Sequence, residues 1–326
     1  MSSVSIDRTV LPYSRELCFA GALCTLRTNS RDLADVLELL SIPANGFGLS
    51  QFDMRIVVDE SLPQAAGRPH FRGLRHMVVA SFGSSNVFIF DVLRRKLSAS
   101  ISGVVARDYQ FWKEKLIPMT LGILGAAIGL VPMHCACLES EGDGLLIAGA
   151  SGAGKSTLSV ALSQGGFNYV SDDWTYLSQR DERLVAHGTS APVKLLPDAV
   201  NHFRTLKNFS VQTSMNGELA YEVDIAETFG VRTELGCEPR WLVFLERTSR
   251  PGGDFTPMSP AAAQTYLNSS VERLPAQLSE AAATRERIIE KVSQLPSWRF
   301  SYGGTPKYGT EKLREFIAFR RREVYA

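Results

Sequence analysis

"LLIAGASGAGKSTLSVALSQ", residues 145–164, decides the reading of this chain. An apolar run ends at Gly149, a glycine-rich turn follows, and helix-forming residues begin at Lys155, so the stretch reads as strand, loop and helix. Gly149, four residues, then Gly154, Lys155 and Ser156 match the GxxxxGK[ST] spacing. In such a loop the glycines let backbone N–H groups turn inward onto phosphate oxygens, and the helix N-terminus adds a favourable dipole. Gly149, Ala150, Ser151, Gly152, Ala153, Gly154, Lys155, Ser156 and Thr157 are therefore the expected phosphate-binding set. Lys155 is expected to reach the β- and γ-phosphates of ATP, and the Ser156 hydroxyl to join the shell of a Mg²⁺ ion. The competing reading is a glycine-rich turn that binds nothing. The flanking strand and helix argue against it.

The segments on either side bear on the reaction. Upstream, "MHCACLES" (133–140), "EGDG" and "LLIAG" read as a hairpin. Centred on its turn, Leu138 faces Leu145, and counting outward puts His134 opposite Gly149. Downstream, "KSTLSVALSQ" reads as an amphipathic helix with Leu158, Ala161 and Leu162 on one side and Gly165-Gly166 as its stop. The next strand, Phe167–Ser171, ends in Asp172 and Asp173. A strand–loop–helix–strand unit returns the chain to the same sheet edge, which brings both carboxylates beside the γ-phosphate. One of them can bind Mg²⁺ and the other can accept a proton from an attacking hydroxyl or water. The alternatives are an Asp-Asp that only begins a turn and a histidine with a structural role.

Residues 133–178, "MHCACLESEGDGLLIAGASGAGKSTLSVALSQGGFNYVSDDWTYLS", resemble the C-terminal catalytic domain of HPr kinase/phosphorylase. The ordered trio of histidine, phosphate loop and early Asp-Asp carries the resemblance, which runs more loosely to about residue 210. It implies an α/β (α+β) chain with a P-loop fold shared with phosphoenolpyruvate carboxykinases. It also implies an ATP- and Mg²⁺-dependent kinase that phosphorylates a serine hydroxyl of a protein or peptide. By motif position it makes Asp172, Lys155 and His134 the catalytic set, Asp172 being the acid/base, and Ser156 and Asp173 the metal ligands. The chain departs from the family after the aspartates. "PVKLLPDAV" (192–200) stands where a glycine-rich signature is expected, as in HPr-kinase-related proteins found beside peptide-modification gene clusters. HPr as substrate and the reverse phosphorylase reaction lie outside what the resemblance implies. A small-metabolite kinase, an ATPase and a nucleotide-binding regulator are the rival functions. Glu222, Asp224, Lys194 and Arg247 are further site candidates, with surface or core roles as the alternative.

The rest of the sequence sets bounds. Its 326 residues have room for two domains, and a net charge of +1 gives no bulk argument for nucleic acid or an acidic membrane. Five cysteines form no CxxC pair and read as reduced thiols of a cytoplasmic protein. The N-terminus lacks the pattern of a signal peptide. "LIPMTLGILGAAIGLVPM" (116–133) is long enough to approach a membrane span, but Pro118 and Pro132 bracket it, so a buried helix is expected and no membrane partner. Residues 1–105 read as a small α+β domain of short strands, among them "CFAGALCTLRT" (18–28) and "LSASISGVV" (97–105), with one helix over 29–40 capped by Asn29 or Ser30. Its role could be oligomerisation, substrate docking or support, and a homo-oligomer is compatible with it. The catalytic domain is expected over 106–326, opening with a helix over 107–130 bent near Pro118.

Overall fold

The computed structural model describes residues 10–42, 51–63, 69–189, 192–213, 217–250, 252–271, 274 and 276–325. Residues 1–9 and Pro275, a proline expected to divide the late helices, lie outside the described residues. The chain is mixed α/β and divides into two compact units, Met1–Pro132 with Arg273–Arg287, and Met133–Glu272 with Ile288–Ala326.

Among the described residues of the first unit, seven strands form one sheet: β1 (Tyr13–Phe19), β2 (Ala22–Thr28), β3 (Phe52–Asp59), β4 (His70–Leu74), β5 (Met77–Phe82), β6 (Asn86–Asp91) and β7 (Lys96–Ser102), in the order β1-β2-β3-β7-β6-β5-β4. Residues 18–28, expected as a single strand, fold back at Ala20–Gly21, whose φ values of 48° and 79° suit a two-residue hairpin turn. The expected strand over 97–105 stops at Ser102, whose hydroxyl accepts from Val105 N and starts the helix Gly103–Arg107. Ser30 caps the helix Arg31–Leu40 in the same way.

Residues 109–128 run as α-helix Tyr109–Phe111, π-helix Trp112–Leu116, α-helix Ile117–Leu124 and 3₁₀ turn Gly125–Ile128. The wide turn comes just before Pro118, whose ring cannot sit inside a regular helix. Phe111 and Trp112 meet Phe82 and Phe88 of the sheet edge-on, with ring centroids 5.1 and 6.4 Å apart. This stretch therefore belongs to the first unit, and the division falls after Pro132 rather than at the expected 105/106. Among the described residues, no helix is long and apolar enough to cross a membrane.

The short strand β8 (Val131–Met133) straddles the division. The second unit then contains β9 (Cys135–Ser140), β10 (Asp143–Gly149), β11 (Asn168–Ser171), β12 (Thr175–Arg180), β13 (Arg183–His187), β14 (Val193–Leu195), β15 (Gln212–Thr213), β16 (Leu219–Val223), β17 (Gly236–Arg247), β18 (Gly252–Pro257) and β19 (Ser297–Gly303). Its main sheet runs β11-β9-β10-β17-β13-β12, and the far half of β17 also pairs with β19. β10, β17 and β19 are parallel, with Gly149 opposite Leu245. β9 is antiparallel to both β10 and β11, so β10 and β11 point the same way and end at one edge. Hairpin β9–β10 has the register read from its turn: Leu138 faces Leu145, and the ladder extends to Cys135 and Ala148, one residue short of His134.

The helix Lys155–Gln164 is buried on two sides rather than one. Leu158 and Leu162 enter a core with Val243, Phe300 and Leu313, whereas Val160 and its neighbour Ala161 pack against Tyr169, Val193 and Tyr221. Gly165 ends it, followed by Gly166 at φ 105°. The segment "PVKLLPDAV" forms edge strand β14 and the 3₁₀ turn Pro197–Asn201, with β14 paired to β16. All five cysteines are free, and Cys137 Sγ lies 3.4 Å from Cys237 Sγ.

Arg321, on the helix Pro306–Tyr325, holds the β9–β10 turn in place. Its Nε donates to Asp143 at 3.0 Å, Nη1 to Glu141 at 2.7 Å, and Nη2 to the Ser140 carbonyl. Its side chain is only 18% exposed and that of Asp143 9%, so the pair has lost most of its water. Arg321→Ala should destabilise the protein by roughly 1–3 kcal/mol, the usual cost of removing a partner from buried charged groups. Chemical denaturation of the two proteins measures this, and an unchanged midpoint would contradict the assignment.

Candidate active site

The expected site residues gather at the edge where β10 and β11 end. Gly149 closes β10 where that strand crowds β17: a Cβ there would stand 3.0 Å from the Leu245 carbonyl oxygen. The chain then turns through Ala150, Ser151, Gly152 and Ala153, with Ala153 N bonded to Ala150 O at 3.1 Å. Gly154, at φ 88°, takes the left-handed conformation that a side chain would strain, and the helix begins at Lys155. Lys155 is buried, and its Nζ donates back into the loop, to Gly149 O at 3.0 Å and Ala150 O at 3.4 Å. Burial lowers its pKa, although Asp173, Cys135 and Asp172 pull the other way. Thr157 lies half-buried in the first turn of the helix.

Asp172 is buried, with three donors around it. Tyr169 Oη donates to Oδ1 at 3.0 Å and Lys194 N to Oδ2 at 3.3 Å, and the Ser156 hydroxyl also favours the ionised form. Burial, and then repulsion from Asp173, push its pKa from 3.8 up to about 6 against the pull of those donors. Asp173 is half-buried and differs. Burial would raise its pKa, but the His134 bond and the charges of His134, Lys194 and Lys155 outweigh this, and the net shift is downward. His134 Nε2 stands 3.0 Å from Asp173 Oδ1, and its ring lies against Trp174, centroids 5.6 Å apart. A further lock fixes the strand end: Thr175 Oγ1 donates to the Cys135 carbonyl at 2.8 Å and meets Ser171 Oγ.

Lys155, Ser156, Asp172, Asp173 and His134 thus form one connected cluster with the loop. Of the further candidates, Lys194 joins it through its backbone and its charge. Asp224 caps the helix Ile225–Phe229 through Glu227 N at 3.0 Å, and its charge also bears on Tyr169; Glu222 faces Lys194 across the β14–β16 pair. Arg247 stands at the end of β17, on the other side of the loop. Sequence reasoning missed Tyr169 and Trp174. A polar aromatic in the buried strand before the aspartates was the available signal for the first, and an exposed tryptophan directly after them for the second.

Two carboxylates side by side with opposite pKa shifts suit different tasks, one poised near neutrality and one held ionised. The hard oxygens of Ser156, Asp172 and Asp173 suit Mg²⁺, which takes one or two carboxylates and otherwise prefers water and phosphate oxygens. Among the described residues, no group of three or more His, Cys, Asp or Glu side chains forms a metal cage of its own.

The shift on Asp172 has a consequence for stability. Its folded pKa of about 6 lies above the ordinary 3.8, so between those values the folded protein binds a proton that the unfolded chain does not. Stability must then fall as pH rises through that window, because folding opposes the ionised form. Asp172→Asn removes the penalty. With a chelator present, its thermal midpoint should gain on wild type between about pH 4 and pH 7. A constant or shrinking difference would contradict the shift.

No family model matches the chain, and no curated protein matches it. Among solved structures it is similar to the Hpr(Ser) kinase/phosphatase from Coxiella burnetii, at 14% identity and a TM-score of 0.35, over 60% of this chain and 99% of that one.

Proposed function

We propose that the second unit is an ATP- and Mg²⁺-dependent kinase that transfers the γ-phosphate to a hydroxyl, most simply a serine of a protein or peptide. The observation that carries the reading is the buried Asp172 carboxylate, held by Tyr169 Oη and the Lys194 amide at the end of β11, the sheet edge from which the glycine-rich strand-to-helix loop also leaves. The motif order of residues 133–178 supports it from the sequence side.

On this reading the loop amides and Lys155 hold the polyphosphate. Lys155 bonds the loop carbonyls now and can turn its three donors to phosphate oxygens a short distance away. Mg²⁺, held by Ser156 and Asp173, would neutralise charge on the phosphates. Asp172, with its raised pKa, takes the proton of the acceptor hydroxyl. His134 keeps Asp173 oriented and ionised. Catalysis is then mainly positioning and fixed charge. A second reading exchanges the carboxylates, since Ser156 bonds Asp172 rather than Asp173, and a serine and carboxylate that share one metal commonly touch.

Two measurements test these roles. Lys155→Ala should lose most affinity for ATP–Mg²⁺ in calorimetry, and wild-type affinity in the variant would remove the phosphate site. Mg²⁺ titration separates the aspartates. Asp172→Asn should bind ATP and yet transfer roughly 10²–10⁴-fold more slowly at every Mg²⁺ concentration, the usual worth of a general base. Asp173→Asn should instead need more Mg²⁺ and recover part of its rate. Rescue of Asp172→Asn by metal would favour the exchanged assignment, and unchanged turnover in both variants would make the pair structural.

A further inference from the structure

One cation at this edge lies outside the Asp172 cluster. Arg247 is the last residue of β17, two positions beyond Leu245, the partner of Gly149. A strand advances about 3.3 Å per residue, so Arg247 stands level with the loop rather than with β10. A Cβ on Gly154 would lie 4.0 Å from Arg247 Cδ.

The guanidinium is oriented by neutral groups. Nη2 donates to the Gly304 carbonyl at 2.9 Å, and Cζ sits 4.3 Å over the Tyr302 ring. Tyr302 is the cross-strand partner of Arg247. The glycines that follow permit the arrangement: a Cβ on Gly303 would meet the Arg250 carbonyl oxygen at 2.0 Å, and Gly304 has φ 108°. Among the described residues Arg247 pairs with no carboxylate, whereas Arg107, Arg240, Arg320 and Arg321 all do. An arginine oriented by a carbonyl and an aromatic face, with no carboxylate beside it, has further N–H donors to offer an incoming anion. β9 and β11 lie on one side of β10 and β17 on the other, so Asp172 and Arg247 flank the loop from opposite sides.

We propose that Arg247 binds the phosphates that stay with the nucleotide, the diphosphate portion, while the aspartates work on the phosphate that is transferred. This rests on the nucleotide reading above. When the bond between the β–γ bridging oxygen and the γ-phosphorus breaks, its electron pair remains on the departing diphosphate, and a fixed guanidinium there offsets the new charge.

Calorimetry with ADP and Mg²⁺ on wild type, Arg247→Met and Arg247→Lys tests it, with thermal unfolding of each nucleotide-free protein. Arg247→Met should weaken ADP binding roughly tenfold or more, the worth of a charged hydrogen bond. Arg247→Lys should recover part of that loss, and the nucleotide-free midpoints should stay together. ADP affinity within about twofold of wild type in Arg247→Met would overturn the inference. A loss that follows a fallen midpoint and is not eased by lysine would overturn it too, because the arginine would then be structural. Wild-type protein that binds neither ADP nor ATP would fail the nucleotide reading itself, before any variant is compared.

Discussion

A carboxylate that keeps only 6% of its residue's surface in water needs donors, and Asp172 draws them from three separate elements. Tyr169 comes from β11, Ser156 from the helix after the loop, and the Lys194 amide from edge strand β14. Burying an ion without such partners would cost several kcal/mol, and even with them the carboxyl titrates upward. The loop, the end of β11 and the small sheet of β14 are therefore tied at one atom pair. Moving any of the three leaves the carboxylate short of a donor. Asp173, one residue on, escapes into partial exposure and meets His134, and this divergence gives two neighbouring aspartates unlike chemistry.

The backbone that supports this cluster is set by close approaches. β10 runs so close to β17 at Gly149 that a Cβ would crowd the Leu245 carbonyl oxygen, and the loop leaves the sheet from the end of these two parallel strands. Ligand crevices in such sheets form beyond the carboxyl ends of the strands, which is where Lys155, Asp172 and Arg247 all lie. The β9–β10 turn at the opposite end is pinned by Arg321, so β10 is anchored at its start and its finish delivers the loop.

How much of this was legible in the sequence depends on how local each cause is. The β9–β10 register followed from a two-residue turn at Glu141–Gly142, where φ is 52° and 87°, and it runs to the Cys135–Ala148 pair, one residue short of His134. The common direction of β10 and β11 followed from the short helix between them. The bond from Lys194 N to Asp172 did not, because it joins residues 22 apart through an edge strand whose sequence carries no motif. The division after Pro132 was hidden for a similar reason. Residues 109–128 are apolar enough to suit any core, and long-range contacts such as those of Phe111 and Trp112 with Phe82 and Phe88 assign them. The turn at Ala20–Gly21 lacked the Asn-Gly or Asp-Gly signal of a hairpin, and Gly103–Arg107 looked like strand because its valines are β-branched.

On the proposed reading this cluster moves a phosphate to a hydroxyl, with Asp172 as the proton acceptor. Incubation of the purified protein with γ-labelled ATP, Mg²⁺ and an extract of its source cells tests that most directly. Label should end on a protein or peptide hydroxyl with wild type, and little or none should with Asp172→Asn although that variant still binds ATP. Label that ends only in inorganic phosphate, or ATP that is bound and left intact by wild type, would contradict it.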